Sequence, residues 1–259
     1  MNRIYKTVWN EQTGTFVAAA ENTRSRSKRS GGALVAGLRS AFTPTVLAVS
    51  MALAFNAHAG GLPTGGQVVG GSGSIQQGTS TTVITQDSQN LAVNWQSFDI
   101  GAHNTVRFEQ PGASAIAVNR VLGNTVSDIQ GRLDANGQVW LINPNGVLFG
   151  DGARINVGGL VASTLDTADP AGADSVTFSG NSGGKITNRG QITAADGGYV
   201  ALLGQEVINQ GVITARLGTV AMGAGSAITL SFNNSNLVNM EVSENTLQAL
   251  VDNRQLVVA

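Results

Sequence analysis

The chain has 259 residues, enough for one sizeable domain or two small ones, and combines 34 glycines with no cysteine, 12% charged and 5% aromatic residues. The lack of cysteine excludes disulfides, a thiol nucleophile and a cysteine-ligated metal, while low charge with many Gly, Asn, Thr, Ser and Val residues suits a β-rich, turn-rich chain rather than a disordered one. The net charge of −1 hides an asymmetry: residues 1–40 carry seven basic residues against Glu11 and Glu21, and the remainder carries 14 acidic against 8 basic residues with no aromatic-interleaved basic patch, which argues against nucleic acid as a partner.

Residues 1–59 read as an address. Residues 41–55 (AFTPTVLAVSMALAF) form a mostly apolar run interrupted by Pro44, too short for a comfortable membrane span, and Ala57-His58-Ala59 supplies a small-x-small site. A positive region, a short apolar region and such a site describe a secretory signal cleaved between Ala59 and Gly60. Glu11, Gly14 and Glu21 argue against a mitochondrial presequence, which is amphipathic and poor in acids. Residues 1–30 (MNRIYKTVWNEQTGTFVAAAENTRSRSKRS) exceed what an ordinary signal needs. Through Tyr5, Trp9, Asn10, Gly14, Glu21, Arg24 and the Arg-Ser-Arg-Ser-Lys-Arg cluster they resemble the extended signal-peptide region of very large Gram-negative exoproteins.

Residues 60–78 (GGLPTGGQVVGGSGSIQQG) are glycine-rich but lack the Gly-Lys-Ser/Thr and the helix of a phosphate-binding loop, and Gly183-Gly184-Lys185 fails the same test because Ile186 follows. The stretch is expected to be a strand-and-turn cap. Short apolar bursts follow at Thr82-Val83-Ile84, Leu91-Ala92-Val93, Phe98-Asp99-Ile100, Val106-Arg107-Phe108 and Ile116-Ala117-Val118, each read as a strand. Between residues 131 and 164 the bursts are Val139-Trp140-Leu141-Ile142, Val147-Leu148-Phe149, Ile155 with Val157, and Leu160-Val161, separated by Asn-Gly, Asn-Pro-Asn-Gly, Asp-Gly and Gly-Gly. Such bursts are too short for helices, and the separators supply the positive-φ or proline-fixed positions of sharp turns. The spacing predicts a parallel β-helix, in which each short strand pairs with the one a full turn away, rather than a sandwich with longer alternating strands.

Beyond residue 174 the chain repeats itself. Asn188 and Asn209, Gly190 and Gly211, and Ile192 and Ile213 are each offset by 21 positions, and Gly198-Tyr-Val-Ala-Leu matches Gly218-Thr-Val-Ala-Met after one deletion. A period near 21 is one coil, so Ile192 is expected above Ile213 in the core and Asn188 above Asn209 in an amide ladder at a corner. If all of residues 60–259 coiled, roughly nine coils would stack over about 40 Å. Residues 227–240 read as one or two strands outside the period, residues 241–250 as a short helix, and residues 253–259 as a coil that starts and stops. That ending suggests a chain truncated at its C-terminus or the start of a larger exoprotein.

Chemistry is sparse. Asp134, Asp151 and Asp196 sit at turns, His103 stands in a loop, and Asp128, Arg132 and Asp134 cluster in sequence with a structural role at a turn as the simpler account. Without a paired-carboxylate arrangement or the Gly-Gly-x-Gly-x-Asp nonapeptide, no catalytic residues, metal or cofactor are expected.

Residues 133–164 (LDANGQVWLINPNGVLFGDGARINVGGLVAST) resemble the core of the haemagglutination-activity, or filamentous-haemagglutinin N-terminal, domain, which is the secretion domain of two-partner-secretion exoproteins. Residues 95–123 (WQSFDIGAHNTVRFEQPGASAIAVNRVLG) resemble the segment preceding that core. Asn119-Arg120-Val121 stands where some members carry a second Asn-Pro-Asn-Leu motif, so no role tied to that motif transfers. The resemblance implies a right-handed, single-stranded parallel β-helix over residues 60–259 with an N-terminal cap and small extra-helical strands. It implies a secretion motif at Asn143, Pro144, Asn145 and Gly146, tied to export either by being read by the transporter or by shaping the segment that folds first. It further implies passage through the general inner-membrane secretion machinery, recognition by the periplasmic POTRA modules of a cognate outer-membrane β-barrel transporter, and folding at the cell surface. The alternative is an adhesin module that itself binds receptors or glycans on host or bacterial surfaces, with a polysaccharide-active β-helix enzyme ranking below it.

Overall fold

The computed structural model describes residues 5–10, 15–20, 61–234, 236–244 and 249–259, the first two segments by backbone pairing alone. The hydrophobic region at 41–55 and the cleavage site at Ala59 and Gly60 lie outside the described residues. The chain divides into two compact units, 1–54 and 55–259. In the first, β1 (Tyr5–Asn10) and β2 (Thr15–Ala20) pair antiparallel with Val8 opposite Val17.

The second unit begins with β3 (Gln67–Gly70) and β4 (Gly73–Gln77), which run antiparallel to the strands of the first coil and cap it. That coil holds β5 (Thr81–Gln86) and β6 (Asn90–Trp95). The second holds β7 (Thr105–Glu109), β8 (Ile116–Val121) and β9 (Ser127–Ile129), and the third β10 (Arg132–Ala135), β11 (Gln138–Ile142) and β12 (Val147–Phe149). In the fourth, β13 (Arg154–Ser163) is followed by an excursion bearing β14 (Ser175–Ser179) before the chain returns in β15 (Lys185–Asn188). The fifth holds β16 (Gln191–Gly204) and β17 (Glu206–Asn209). The sixth holds β18 (Val212–Thr214) and β19 (Thr219–Ala224), leaves again through β20 (Ala227–Asn233) and β21 (Asn236–Glu244), and closes with β22 (Leu250–Asn253). Finally β23 (Val257–Val258) pairs onto β18.

Every coil-to-coil pairing is parallel, as a chain that winds one way requires. Three faces result: one of β5, β7, β10, the first half of β13, the first half of β16 and β18; a second of β6, β8, β11, the second halves of β13 and β16, and β19; and a third of β9, β12, β15, β17 and β22. Alternate residues point inward and stack in columns, such as Val106, Leu133, Ile155, Ile192 and Ile213 on the first face and Leu91, Ala117, Val139, Leu160 and Val200 on the second. Each coil therefore covers the apolar interior of the one before it, the reason a short strand of three to six residues suffices.

Several expectations are corrected. Six coils form rather than nine, because residues 61–80 build the cap while two excursions, one bearing β14 and one bearing β20 and β21, leave the helix. Gly158 and Gly159 do not turn the chain between two strands: β13 runs through them with a register shift between Val157 and Gly159, a bulge that bends one strand across two faces. Phe98-Asp99-Ile100 contributes a single bridge, Ile100 to Ile129, instead of a strand. Residues 241–244 continue β21 in extended form, where cross-strand pairing to β20 overrides the helical spacing.

The excursions are not idle. The antiparallel sheet β14-β20-β21 lies over the outside of the second face and creates a second core of Ile116, Val118, Trp140, Ile142, Val161 and Tyr199 from the coils against Val176, Phe178, Ile228 and Leu230 from the sheet.

Candidate functional site: the corner at residues 143–146

Strand β11 ends at Ile142, and the chain must turn within four residues to start β12 at Val147. Pro144 presets φ for the turn, the N–H of Gly146 donates to the carbonyl of Asn143 at 3.0 Å, and Gly146 adopts φ +121°, a backbone conformation that L side chains rarely take. The N–H of Asn143 donates to the Ser163 carbonyl at 2.9 Å, tying the corner to the next coil.

The side chains of the two asparagines point inward and are consumed by the fold. Asn143 is fully buried; its Nδ2 donates to the Thr125 carbonyl at 3.0 Å and to the Ser127 Oγ at 2.9 Å. Its Oδ1 accepts from the backbone N–H and from the Nδ2 of Asn145, each at 3.0 Å. The Asn145 Nδ2 also donates to the Gly123 carbonyl at 2.9 Å. The Asn143 amide thus uses both donors and both acceptor sites, and the pair stitches the third coil to residues 123–127 of the second. Above the turn, a Cβ on Gly184 would overlap the Pro144 carbonyl, so the fourth coil packs flush against it only with glycine there. Of the four motif residues, Pro144 alone is exposed; Asn145 is half-buried. A shallow groove runs beside the corner past Val126, Leu148, Thr187 and Ile208, with Lys185 and Arg189 at its rim.

The repeat residues come together as well. Asn188 pairs in register with Asn209 and Ile192 with Ile213, while Gly190 and Gly211 follow their asparagines with N–H groups donating back to Asn188 Oδ1 at 3.1 Å and Asn209 Oδ1 at 3.3 Å. The ladder extends one rung further than the sequence repeat, to Asn253. A second ladder escaped sequence reasoning: the Gln110 Nε2 donates to Gln86 Oε1 at 3.0 Å inside the first corner. His103 is exposed in the turn before β7. Asp128 accepts from Gln130, and Arg132 pairs with Asp134 at 2.5 Å on the outer surface, a bond that raises the arginine pKa further. Among the described residues no three His, Asp or Glu side chains are grouped to hold a metal ion.

Comparison with known proteins agrees with this architecture. The family model described as the TPS secretion domain matches residues 59–256, and that described as the extended signal peptide of the type V secretion system matches residues 1–50. The heme/hemopexin-binding protein of Haemophilus influenzae strain Rd is 36% identical over 220 residues, covering 78% of this chain and 23% of the relative. A second H. influenzae protein of the same name is 54% identical over 83 residues, or 32% of this chain and 9% of its own length. The chain thus spans less than a quarter of these relatives. The crystal structure of the HMW1 secretion domain from H. influenzae superimposes with a TM-score of 0.66 at 35% identity, covering 72% of this chain and 50% of that one. These names denote secretion and binding rather than catalysis. The chain belongs to the TPS secretion domain family of haemagglutinin-like exoproteins, which Gram-negative bacteria export through the periplasm to a cognate outer-membrane transporter.

Proposed function

We propose that residues 60–259 are the export signal of a two-partner exoprotein and that Asn143, Pro144, Asn145 and Gly146 serve export by fixing the fold of the second to fourth coils. The observation that carries this reading is the inward orientation of both motif asparagines: a partner cannot touch Asn143 without unfolding the corner. After passage through the general inner-membrane machinery and cleavage between Ala59 and Gly60, the POTRA modules of the transporter engage segments that have not yet coiled. Outside the cell each coil then stacks on the last through rungs such as Asn188 on Asn209 and Ile192 on Ile213. Every added coil buries apolar surface locally, which opposes backsliding without a nucleotide energy source.

The test is export of residues 1–259 in a Gram-negative host with and without the cognate transporter. Partner-dependent appearance in the medium is expected, and retention in the periplasm despite a working transporter would sink the reading. Asn143→Ala should lower export and the unfolding midpoint together, whereas Pro144→Ala, which removes the exposed ring, should leave export near wild type. Loss of export in Pro144→Ala at unchanged stability would mean that the motif is read directly.

A further inference from the structure

The fold begins almost at the proposed cleavage bond. Counted from a cut between Ala59 and Gly60, Gly61 to Thr64 are the second to fifth residues of the mature chain, and each is docked on the rest of the domain. The Gly61 carbonyl accepts from the N–H of Gly101 at 2.6 Å, its φ is +47°, and a Cβ there would come within 2.5 Å of the Gly101 backbone. Leu62 is buried in the same core as Trp95, Phe98 and Ile100. Pro63 is buried too, and its carbonyl accepts from Gln77 Nε2 at 2.7 Å. Thr64 bridges Ser97 antiparallel: its N–H donates to the Ser97 carbonyl and its carbonyl accepts from the Gln96 N–H, both at 2.9 Å, while the Thr64 and Ser97 hydroxyls lie 2.8 Å apart.

An endopeptidase takes its substrate as an extended strand that runs through the scissile bond and a few residues to either side. Gly61 at φ +47° is not extended, and straightening it breaks the bond to Gly101 and pulls Leu62 out of the core at the start of the β-helix. Resting on the export reading above and its cleavage position, we infer that signal removal and closure of the first coil exclude one another: the signal peptidase of the inner membrane cuts only while residues 61–64 are undocked. Water adds across the Ala59–Gly60 bond, leaving a carboxylate on Ala59 and an amine on Gly60. A chain that coils before the cut keeps residues 1–59, and with them the apolar run 41–55 that engages the inner membrane. Chains released by the cut are therefore uncoiled, which is the state the transporter engages. Transient opening of the docked N-terminus admits the enzyme in proportion to the population of the open form, so protection reports how firmly residues 61–64 are seated.

The test compares three full precursors, each refolded in detergent and then given purified signal peptidase: wild type, a variant with a flexible Gly-Ser linker of about eight residues between Gly60 and Gly61, and Leu91→Asp. The linker moves the scissile bond away from the docked residues without changing them. Leu91 belongs to the core of the first coil, so Leu91→Asp buries a charge there and keeps the coil from closing while leaving the residues around the cleavage bond unaltered. Wild type is expected to be cut at least tenfold more slowly than either variant, and the linker variant to be cut while its coils remain folded. A wild-type rate equal to that of either variant overturns the exclusion and leaves the export reading standing, because export is scored separately as protein in the medium. No cleavage of any of the three removes the cleavage position and with it both the exclusion and that part of the export reading.

Discussion

Asn188 sits directly beneath Asn209, its Nδ2 donating to the Asn209 Oδ1 at 2.8 Å, and Asn209 repeats the bond to Asn253 at 2.8 Å. Both Asn188 and Asn209 are fully buried, so each amide must find its partners within the stack. Asn209 is the middle rung, and its replacement by Ala leaves the buried Asn188 Nδ2 without its acceptor, while the exposed Asn253 can turn to water. Asn209→Ala is expected to cost about 2–3 kcal/mol and to lower the urea midpoint, while Asn253→Ala, at an exposed end, should cost about 1 kcal/mol or less. Equal effects at the two positions would show that the ladder is not what holds this corner.

Between the first and second faces the coils approach so closely that a column of glycines is required. A Cβ on Gly158 would lie 2.7 Å from the Gly137 carbonyl, one on Gly198 would overlap the Gly158 carbonyl, and one on Gly218 would overlap that of Gly198. The obstacle is backbone in every case and cannot move aside without spreading the rungs. Gly198→Ala and Gly218→Ala should each cost about 3 kcal/mol, whereas Gly183→Ala, with open space around it, should stay within about 0.5 kcal/mol of wild type in the same denaturation series.

The coil was legible wherever the period ran unbroken. Asn188 and Asn209 lie one coil apart in sequence and in space, but Asn253 follows after 44 residues because β20 and β21 intervene, and Gln255 stands where the earlier rungs have glycine. Gly158 and Gly159 misled because paired glycines suit a turn and a bulge equally; the neighbouring Gly137 carbonyl decides between them, and it belongs to another coil. The residues 143–146 could be read as a turn from Pro144 and Gly146, yet the acceptors that bury Asn143 and Asn145 lie at Gly123 and Thr125, one coil back. One signal for the outer sheet was present: Val139-Trp140-Leu141-Ile142 is apolar without alternation, the pattern of a strand covered on both sides, and all four residues are buried.

Inside the first coils, Asn119 holds the Trp95 indole: Trp95 Nε1 donates to Asn119 Oδ1 at 2.9 Å, and both residues are buried. Asn119→Val leaves that N–H without its partner and is expected to cost about 2 kcal/mol. Combined with Trp95→Phe, which removes the donor, the loss should be less than additive by about 1 kcal/mol. A strictly additive double-mutant cycle would place the cost in packing rather than in the hydrogen bond.

Tyr199 is the sole tyrosine of residues 60–259, and it is fully buried under the three-stranded sheet, where its hydroxyl accepts from Trp140 Nε1 at 2.9 Å and donates to Gln138 Oε1 at 2.8 Å. Desolvation drives its pKa far above the ordinary 10.0, with the Trp140 bond opposing in part. The folded state thus holds the phenolic proton more tightly than the unfolded chain. Its contribution is fully present below the unfolded value of about 10 and is lost as pH climbs from there toward the folded value. Wild-type stability should therefore fall above about pH 10 more steeply than that of Tyr199→Phe, which lacks the ionisable group. At pH 7 the variant should be the weaker by about 1–3 kcal/mol, because the Trp140 N–H loses its acceptor. The difference between the two proteins narrows as the solution becomes more alkaline, and tyrosinate absorbance emerges only with unfolding. Tyrosinate forming near pH 10 while the coils remain intact would mean that the sheet over Tyr199 opens to solvent without the rest of the domain.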